Sequence, residues 1–376
     1  MLHQLEPHEY HKAADLLAKL AAYNVYITAV LNGDSPGRVY VDDRETPTAV
    51  FAISIDACYL AGDPANDAFN EALYEELDDT LFSGDRINPD DTQISVHLDS
   101  NAWEETLADL MEDWCWPPLV ELHHHYICHA PPATPRPLPD GYTIARLDEA
   151  LLQQQGERLP AAIANSIRIG WQNEANFLAH GFGFCALHGE EIVCWCLADC
   201  VSAGAAEIGI ETTADHRRRG LGTAVTQAAL AHCFAQGMTR VGWHCPVDHT
   251  ASIRTASNAG FQFEREYVRY VFLDDEARHF AELGRMYFFE AKLYAQAAEA
   301  FDFVFEIESE EPYPDHYYLL AARAWAHERN GRKALAYLNQ AIDAGFRGAT
   351  FLNSLPEFAH LRRTREWQEI VRRATA

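Results

Sequence analysis

Ala206-Glu-Ile-Gly-Ile-Glu-Thr212, then Arg217-Arg-Arg-Gly-Leu-Gly222, then the helical stretch Thr223 to Gln236, is the segment whose reading decides the fold. It predicts a strand, a glycine loop and a helix in succession. Gly220 and Gly222 lack a Cβ, so a ligand can come close to the backbone there. The first amides of the following helix have no intrahelical acceptor, and with the helix dipole they favour an anion. Arg217, Arg218 and Arg219 add positive charge. Such a loop suits a pyrophosphate. A dinucleotide-binding Gly-x-Gly-x-x-Gly loop needs a third glycine where this chain has Val225, and an acidic residue about 20 positions on. Neither is present.

Working outward, Gly183–Leu187 and Ile192–Ala198 read as strands around the turn His188–Glu191, and Arg240–Cys245 reads as the strand after the helix. Ala251–Ala259 is a short helix stopped by Gly260, Glu266–Phe272 a last strand, and Ala161–Gly170 an earlier helix. Together these segments resemble the GNAT acetyltransferase superfamily over about residues 141–272. The features that carry the likeness are the Arg-x-x-Gly-x-Gly loop, the strand before it, Trp243-His-Cys245 after it, and a late helix ending in Ala259-Gly-Phe261. The Glu-Ile-Gly-Ile-x-Thr strand is most similar to the zwittermicin-A-resistance type. The resemblance implies an α/β (α+β GNAT) fold and acetyl-CoA as co-substrate. Pyrophosphate would lie on Arg217, Arg218, Arg219, Gly220, Leu221, Gly222 and Thr223, and pantetheine on the strand backbone near Ile210 to Thr212. Two departures stand out. Many relatives have Asn where this chain has His249, three residues before Ser252, and a tyrosine acid where it has Ala256.

Alternate strand residues share a face, so Glu207, Gly209 and Glu211 point one way and Ile208 and Ile210 the other. A carboxylate on the cleft face could take an amine proton through water. Glu211, nearest the loop, is the first choice for that base and Glu207 the second. His244, on the opposite side of its strand from Trp243 and Cys245, is a third candidate for catalysis or substrate contact. The acid that protonates the leaving thiolate is open between Tyr267, Tyr270 and water.

Among 376 residues, 29 are Lys or Arg and 56 are Asp or Glu, a formal charge of -27. Such a chain repels nucleic-acid backbones and anionic membranes, favours a cationic substrate, and needs local positive charge for any anionic ligand. No apolar run approaches the ~18 residues of a membrane span. The first residues do not read as a signal peptide, and the 9 cysteines lack paired CxxC spacing. Reduced, buried thiols and a cytoplasmic location are expected.

Ala130-Pro-Pro-Ala-Thr-Pro-Arg-Pro-Leu-Pro-Asp140 cannot continue a helix or central strand and reads as a linker. Residues 1–130 before it run helix, strand pair (Gly37–Val41 and Thr48–Ser54), helix (Asn66–Leu81), strand (Ile94–Leu98), helix (Trp103–Met111) and a closing strand, His123–Cys128. That order resembles a second, degenerate GNAT-like domain, with Leu60–Ala65 and its acidic Asp63 at the loop's place. It is expected to shape the acceptor cleft, together with loops near Asn165 to Asn176, and to bind no CoA. The acetyltransferase domain follows at 141–273. In 274–376, Ala291–Phe301 and Glu328–Leu338 resemble one element used twice, as in tetratricopeptide repeats, and offer a surface for a protein partner. His123–His125 with His129 alternate along a strand, so no metal is expected. The predicted activity is acetyl transfer to an amine of a small molecule or peptide; the alternative is an acyl-CoA-sensing adaptor.

Overall fold

A computed structural model of the chain describes residues 2–76, 87, 92–111, 117–130, 136–309 and 311–375. The proline segment 131–135, residues 77–81 of the helix expected to Leu81, and Glu310 of the acidic run lie outside the described residues. The chain divides into two compact units, Met1–Asp113 with Val120–Val271 and Trp114–Leu119 with Phe272–Ala376.

Among the described residues, the first unit is built on twelve strands. They are β1 (His3–Gln4), β2 (Arg38–Val41), β3 (Ala49–Ile53), β4 (Cys58–Gly62), β5 (Gln93–Leu98), β6 (Leu119–Cys128), β7 (Tyr142–Arg146), β8 (Gly183–His188), β9 (Glu191–Ser202), β10 (Ala205–Thr212), β11 (Arg240–Pro246) and β12 (Gln262–Leu273). Their order in the sheet is β1-β2-β3-β4-β5-β12-β6-β11-β10-β9-β8-β7. The pattern outward from the central β12 and β6 is the same on both sides. β5 pairs parallel with β4 and β4 antiparallel with β3; β11 pairs parallel with β10 and β10 antiparallel with β9.

The strand expected at His123–Cys128 forms within β6; in the sheet it lies between β12 and β11, and Cys128 to His123 run antiparallel to Val241 to Pro246. Strand β4 also takes in Leu60 to Gly62, so the loop at this place is shorter than Leu60–Ala65. The hairpin from β2 to β3 forms as its aspartates dictate. Asp42 accepts from the amides of Thr48 (2.8 Å) and Ala49 (3.1 Å), and Asp43 from those of Glu45 and Thr46 (both 2.8 Å).

Among the described residues, nine α-helices accompany the strands: α1 (Ala14–Ala21), α2 (Val25–Asn32), α3 (Asp67–Glu76), α4 (Trp103–Leu110), α5 (Glu149–Gln155), α6 (Ala161–Trp171), α7 (Glu174–His180), α8 (Leu221–Ala235) and α9 (Thr250–Ala259). Helices α6 and α8 both pack on β9. Ile192 to Ala198 are buried throughout, which is why that strand reads as a continuous apolar run and not as an alternation. The eight described cysteines are buried.

The second unit carries α10 (Glu276–Met286), α11 (Tyr294–Val304), α12 (Asp315–His327), α13 (Gly331–Asp343), α14 (Ala349–Ser354) and α15 (Arg365–Arg373). Ala297, Ala298, Ala321, Ala322, Ala324 and Ala334 are fully buried where these helices meet. The two similar segments share a turn. Lys292 before α11 has φ 58° and Arg329 before α13 has φ 59°, both left-handed.

Candidate active site

β10 and β11 pair only at Ala205–Arg240, Ala206–Val241 and Glu207–Gly242. Beyond that point each strand continues without the other, leaving an opening between Ile208–Thr212 and Trp243–Pro246. A β-bulge sits at the same level. Glu207 opposes Cys200 and Ile208 opposes Ala198, so Asp199 is the extra residue on β9; bulges bend a strand and re-aim its side chains. Two glycines leave room for two carboxyl groups there. A Cβ on Gly242 would lie 2.3 Å from Glu207 Oε2, and one on Gly209 would lie 2.9 Å from Asp199 Oδ2.

The loop after β10 turns through two left-handed residues, Arg218 (φ 61°) and Gly220 (φ 81°), into α8. Turns of this kind gather backbone N–H groups into an anion-binding concavity. The side chains of Leu221 and Thr223 are buried (1 % and 5 % exposed), so these two residues can offer a ligand only their amides. A Cβ on Gly222 would meet Ile210 Cδ1 at 3.0 Å and Thr255 Cγ2 at 3.4 Å. The missing side chain therefore keeps open the cradle between β10 and α9, and the residues fit an acyl-CoA pyrophosphate. Arg217 Nε donates to the Thr212 carbonyl (3.0 Å) and Arg219 Nη2 to that of Asp215 (3.2 Å), which ties two of the three guanidiniums to the loop. A fourth comes from the proline-rich segment. Arg136, whose amide donates to Gln227 Oε1 of α8 (2.6 Å), holds its Nε 2.4 Å from where a Gly220 Cβ would be. Ser252 Oγ accepts from the Trp243 indole (2.9 Å), and the exposed His249 precedes α9. Thr212 Oγ1 donates to Cys194 Sγ (3.1 Å).

The three acid–base candidates do not share one environment. Glu211 is exposed. Glu207 is 1 % exposed, at the N-terminus of α2, where Val25 N–H points at Oε1 from 3.4 Å. Its other neighbour is His244, Nε2 to Oε1 3.4 Å. Burial alone would raise Glu207, but His244 outweighs it, with help from the Val25 amide, and holds the carboxyl below the ordinary range. Burial pulls His244 down and the Glu207 carboxylate lifts it further, so its net shift is upward. His125, buried and facing the charge of His244, is pushed down to about 3 and is neutral. The His125 and His244 rings stack with centroids 4.5 Å apart. Outside them, His125 Nδ1 meets Glu264 Oε2 (2.7 Å) and His244 Nδ1 meets the Tyr267 hydroxyl (2.9 Å). Tyr270 is engaged elsewhere, donating to Glu104 Oε1 at 2.7 Å.

Two members of this cluster escape a strand-by-strand reading. His125 belongs to β6, far from β10 in sequence, and only the pairing of β6 with β11 brings it to Glu207. Asp199 carries a legible signal, a lone acid inside the apolar run of β9. Desolvation, with Asp56 and Glu207 nearby, pushes its carboxyl up to about 7. The segment expected to shape the acceptor cleft does line a groove: Trp171, Gln172 and Asn176 face Asp34, Ser35 and Ser202 there. It lies toward the start of β10, at the other end of that strand from the arginine loop.

The sequence matches the family model for GNAT acetyltransferase over residues 16–270, from α1 into β12. It is 25% identical over 248 residues to the uncharacterized N-acetyltransferase YdfB of Bacillus subtilis (strain 168), covering 65% of this chain and 89% of that protein. Among solved structures, a GCN5-related N-acetyltransferase-like protein from Streptococcus suis 89/1591 is similar at a TM-score of 0.51 and 18% identity, covering 70% of this chain and 98% of that one. That likeness speaks to the fold: mixed α/β, with a helical C-terminal region beyond the matched residues. The family match runs through the arginine loop, the opening between β10 and β11 and the Glu207 cluster, and the chain belongs to the GNAT acetyltransferase family, which uses acetyl-CoA as co-substrate.

Proposed function

We propose that the chain transfers an acetyl group from acetyl-CoA to an amine of a small molecule or peptide, by direct attack in a ternary complex. The observation that carries this reading is the end of β10–β11 pairing at Glu207 and Gly242, directly before a left-handed, arginine-flanked loop that opens α8. In this reading the amides of Gly220 to Thr223 and the guanidiniums of Arg217, Arg218 and Arg219 bind pyrophosphate. The backbone of Ile210 to Thr212 orients pantetheine, and His249 and Ser252 border the bound molecule at α9. Catalysis then comes mainly from holding amine and thioester together.

Glu207, held ionised beside His244, takes the ammonium proton. Their buried pairing supports this choice over Glu211, whose carboxylate stands in water. Tyr267, against His244, is the better placed tyrosine to return a proton to the leaving thiolate. We further propose a zwittermicin-A-resistance-like ancestry, a degenerate GNAT-like domain over 1–130, a linker over 131–140, the acetyltransferase domain over 141–273 and a tetratricopeptide-like region over 274–376. The repeated left-handed turn at Lys292 and Arg329 supports the last of these; a protein partner would dock there, and the protein would work in the cytoplasm.

The test is calorimetry with acetyl-CoA combined with release of free CoA over a panel of amines. Gly222→Asp adds bulk and negative charge in the cradle and is expected to abolish acetyl-CoA binding in a folded chain. Glu207→Gln is expected to lower turnover ~10²–10⁴-fold, the range for a lost general base, with acetyl-CoA affinity kept and with a larger effect than Glu211→Gln. Tight acetyl-CoA binding with no CoA release for any amine would overturn the enzyme in favour of an acyl-CoA sensor.

A further inference from the structure

Three strands adjacent in the sheet, β6, β11 and β10, each present one ligand-type atom to a common point: His125, His244 and Glu207. These atoms all lie within 4.8 Å of one another. Buried polar atoms without partners are rare in native proteins and call for an explanation such as a bound ion. Here three occur together. His125 Nε2, His244 Nε2 and Glu207 Oε2 are buried and have no hydrogen-bond partner among the described residues. His125 is 0 % and Glu207 1 % exposed.

The spacing also suits an ion better than a hydrogen bond. His244 Nε2 and Glu207 Oε1 are 3.4 Å apart, long for an N–H···O bond. That separation is about the edge of a tetrahedron with the ~2.0–2.2 Å bonds of zinc to imidazole and carboxylate. Both histidines are oriented from behind as metal-bound histidines are. Glu264 holds His125 Nδ1 at 2.7 Å, and Tyr267 holds His244 Nδ1 at 2.9 Å. In the neutral tautomer with Nδ1–H donated outward, each ring would turn its Nε2 lone pair to the common point.

We propose that His125, Glu207 and His244 form a binding site for one divalent first-row transition-metal ion, of which Zn²⁺ is the reference case. Two imidazoles and a carboxylate are the donor set such ions prefer. Three protein ligands leave a coordination position open, and His244, whose side chain is 19 % exposed, marks the side on which it would lie. Binding needs no turnover, so the site stands or falls separately from acetyl transfer. If both readings hold, the ion and the proton compete for His244 and Glu207.

The experiment uses the full chain, stripped with a chelator and then titrated with Zn²⁺ by equilibrium dialysis and with Co²⁺ by visible absorption, the fold being followed by circular dichroism. One ion per chain and the ligand-field bands of a histidine-bound Co²⁺ are expected. His244→Gln should remove both signals. Glu264→Ala, at an exposed residue that should not endanger folding, should weaken binding ~10–100-fold through the freed His125 ring. No saturable binding by the folded wild-type chain overturns the site, as does binding that survives unchanged in both variants.

Discussion

Gly242 is the residue on which the Glu207 cluster depends most directly. Its missing side chain is the space the carboxylate occupies, 2.3–2.4 Å from where a Cβ would stand. Gly242→Ala therefore forces that carboxylate aside in a packed interior. A loss of ~1–3 kcal/mol in denaturant unfolding is expected, as for other overpacked cores, with turnover reduced and acetyl-CoA affinity kept by calorimetry. Glu121 gives a pH signature. Burial would raise it, but hydrogen bonds and charge from His123 and Arg269 bring it down to about 2. A depressed carboxyl stabilises the fold above its unfolded value, ~4.3, and loses that contribution as pH falls toward 2. Its side chain is 36% exposed, so solvent screening leaves on the order of 1 kcal/mol. Glu121→Gln is expected to flatten the acid limb of the stability curve between about pH 4.3 and 2, measured by urea unfolding, with a loss on the order of 1 kcal/mol at neutral pH, where the contribution is fully present, and little change near pH 2. Legibility differs among residues for a physical reason. The arginine loop is contiguous, and its glycines and arginines act through local backbone, so the sequence shows it. His125, Glu207 and His244 come from separate strands, and alternation along any one of them says nothing about which histidine meets which acid.

At the level of elements, β10 shows what periodicity can and cannot tell. Glu207 and Glu211 were expected on one cleft face, with Glu211 preferred for nearness to the loop. Yet one is sealed under α2 and the other stands in solvent, because the pairing with β11 ends between them. Strand β4, five residues and mostly buried, is too short and too uniformly apolar to separate from a loop by pattern. The helices of the second unit were more legible, since their alanines recur where backbones approach. Their repeated turn makes a prediction. Arg329 adopts φ 59°, a conformation that costs a non-glycine residue ~1–2 kcal/mol, while glycine gives back ~0.5–1 kcal/mol in chain entropy. Arg329→Gly is expected to stabilise the helical unit by about 0.5–1 kcal/mol, seen as a higher unfolding temperature. A lower one would mean that the arginine side chain contributes more than its backbone costs.

Across the whole molecule, the two sides of the sheet share a parallel strand–helix–strand unit, β4–α3–β5 and β10–α8–β11, but only one carries the arginine loop. In the other, Asp63 follows β4 and accepts from the Ala65 amide at 3.0 Å, placing negative charge where an anion would sit. One acetyl-CoA per chain is therefore expected by titration, and a stoichiometry of two would show that the first half binds as well. The crossing of β6 and β12 reaches further, into how the protein is made. Each half ends by placing its last strand beside the other half: β6 meets β11, and β12 meets β5. While the ribosome is still short of Arg240, His123–Cys128 has no β11 to join, and β5 keeps an open edge until Gln262–Leu273 emerges. Such edges invite wrong pairing, and contacts so distant in sequence form slowly. The nascent first half thus carries that unpaired edge for as long as β11 and β12 are missing, and a pause in translation before residue 240 would lengthen the exposure.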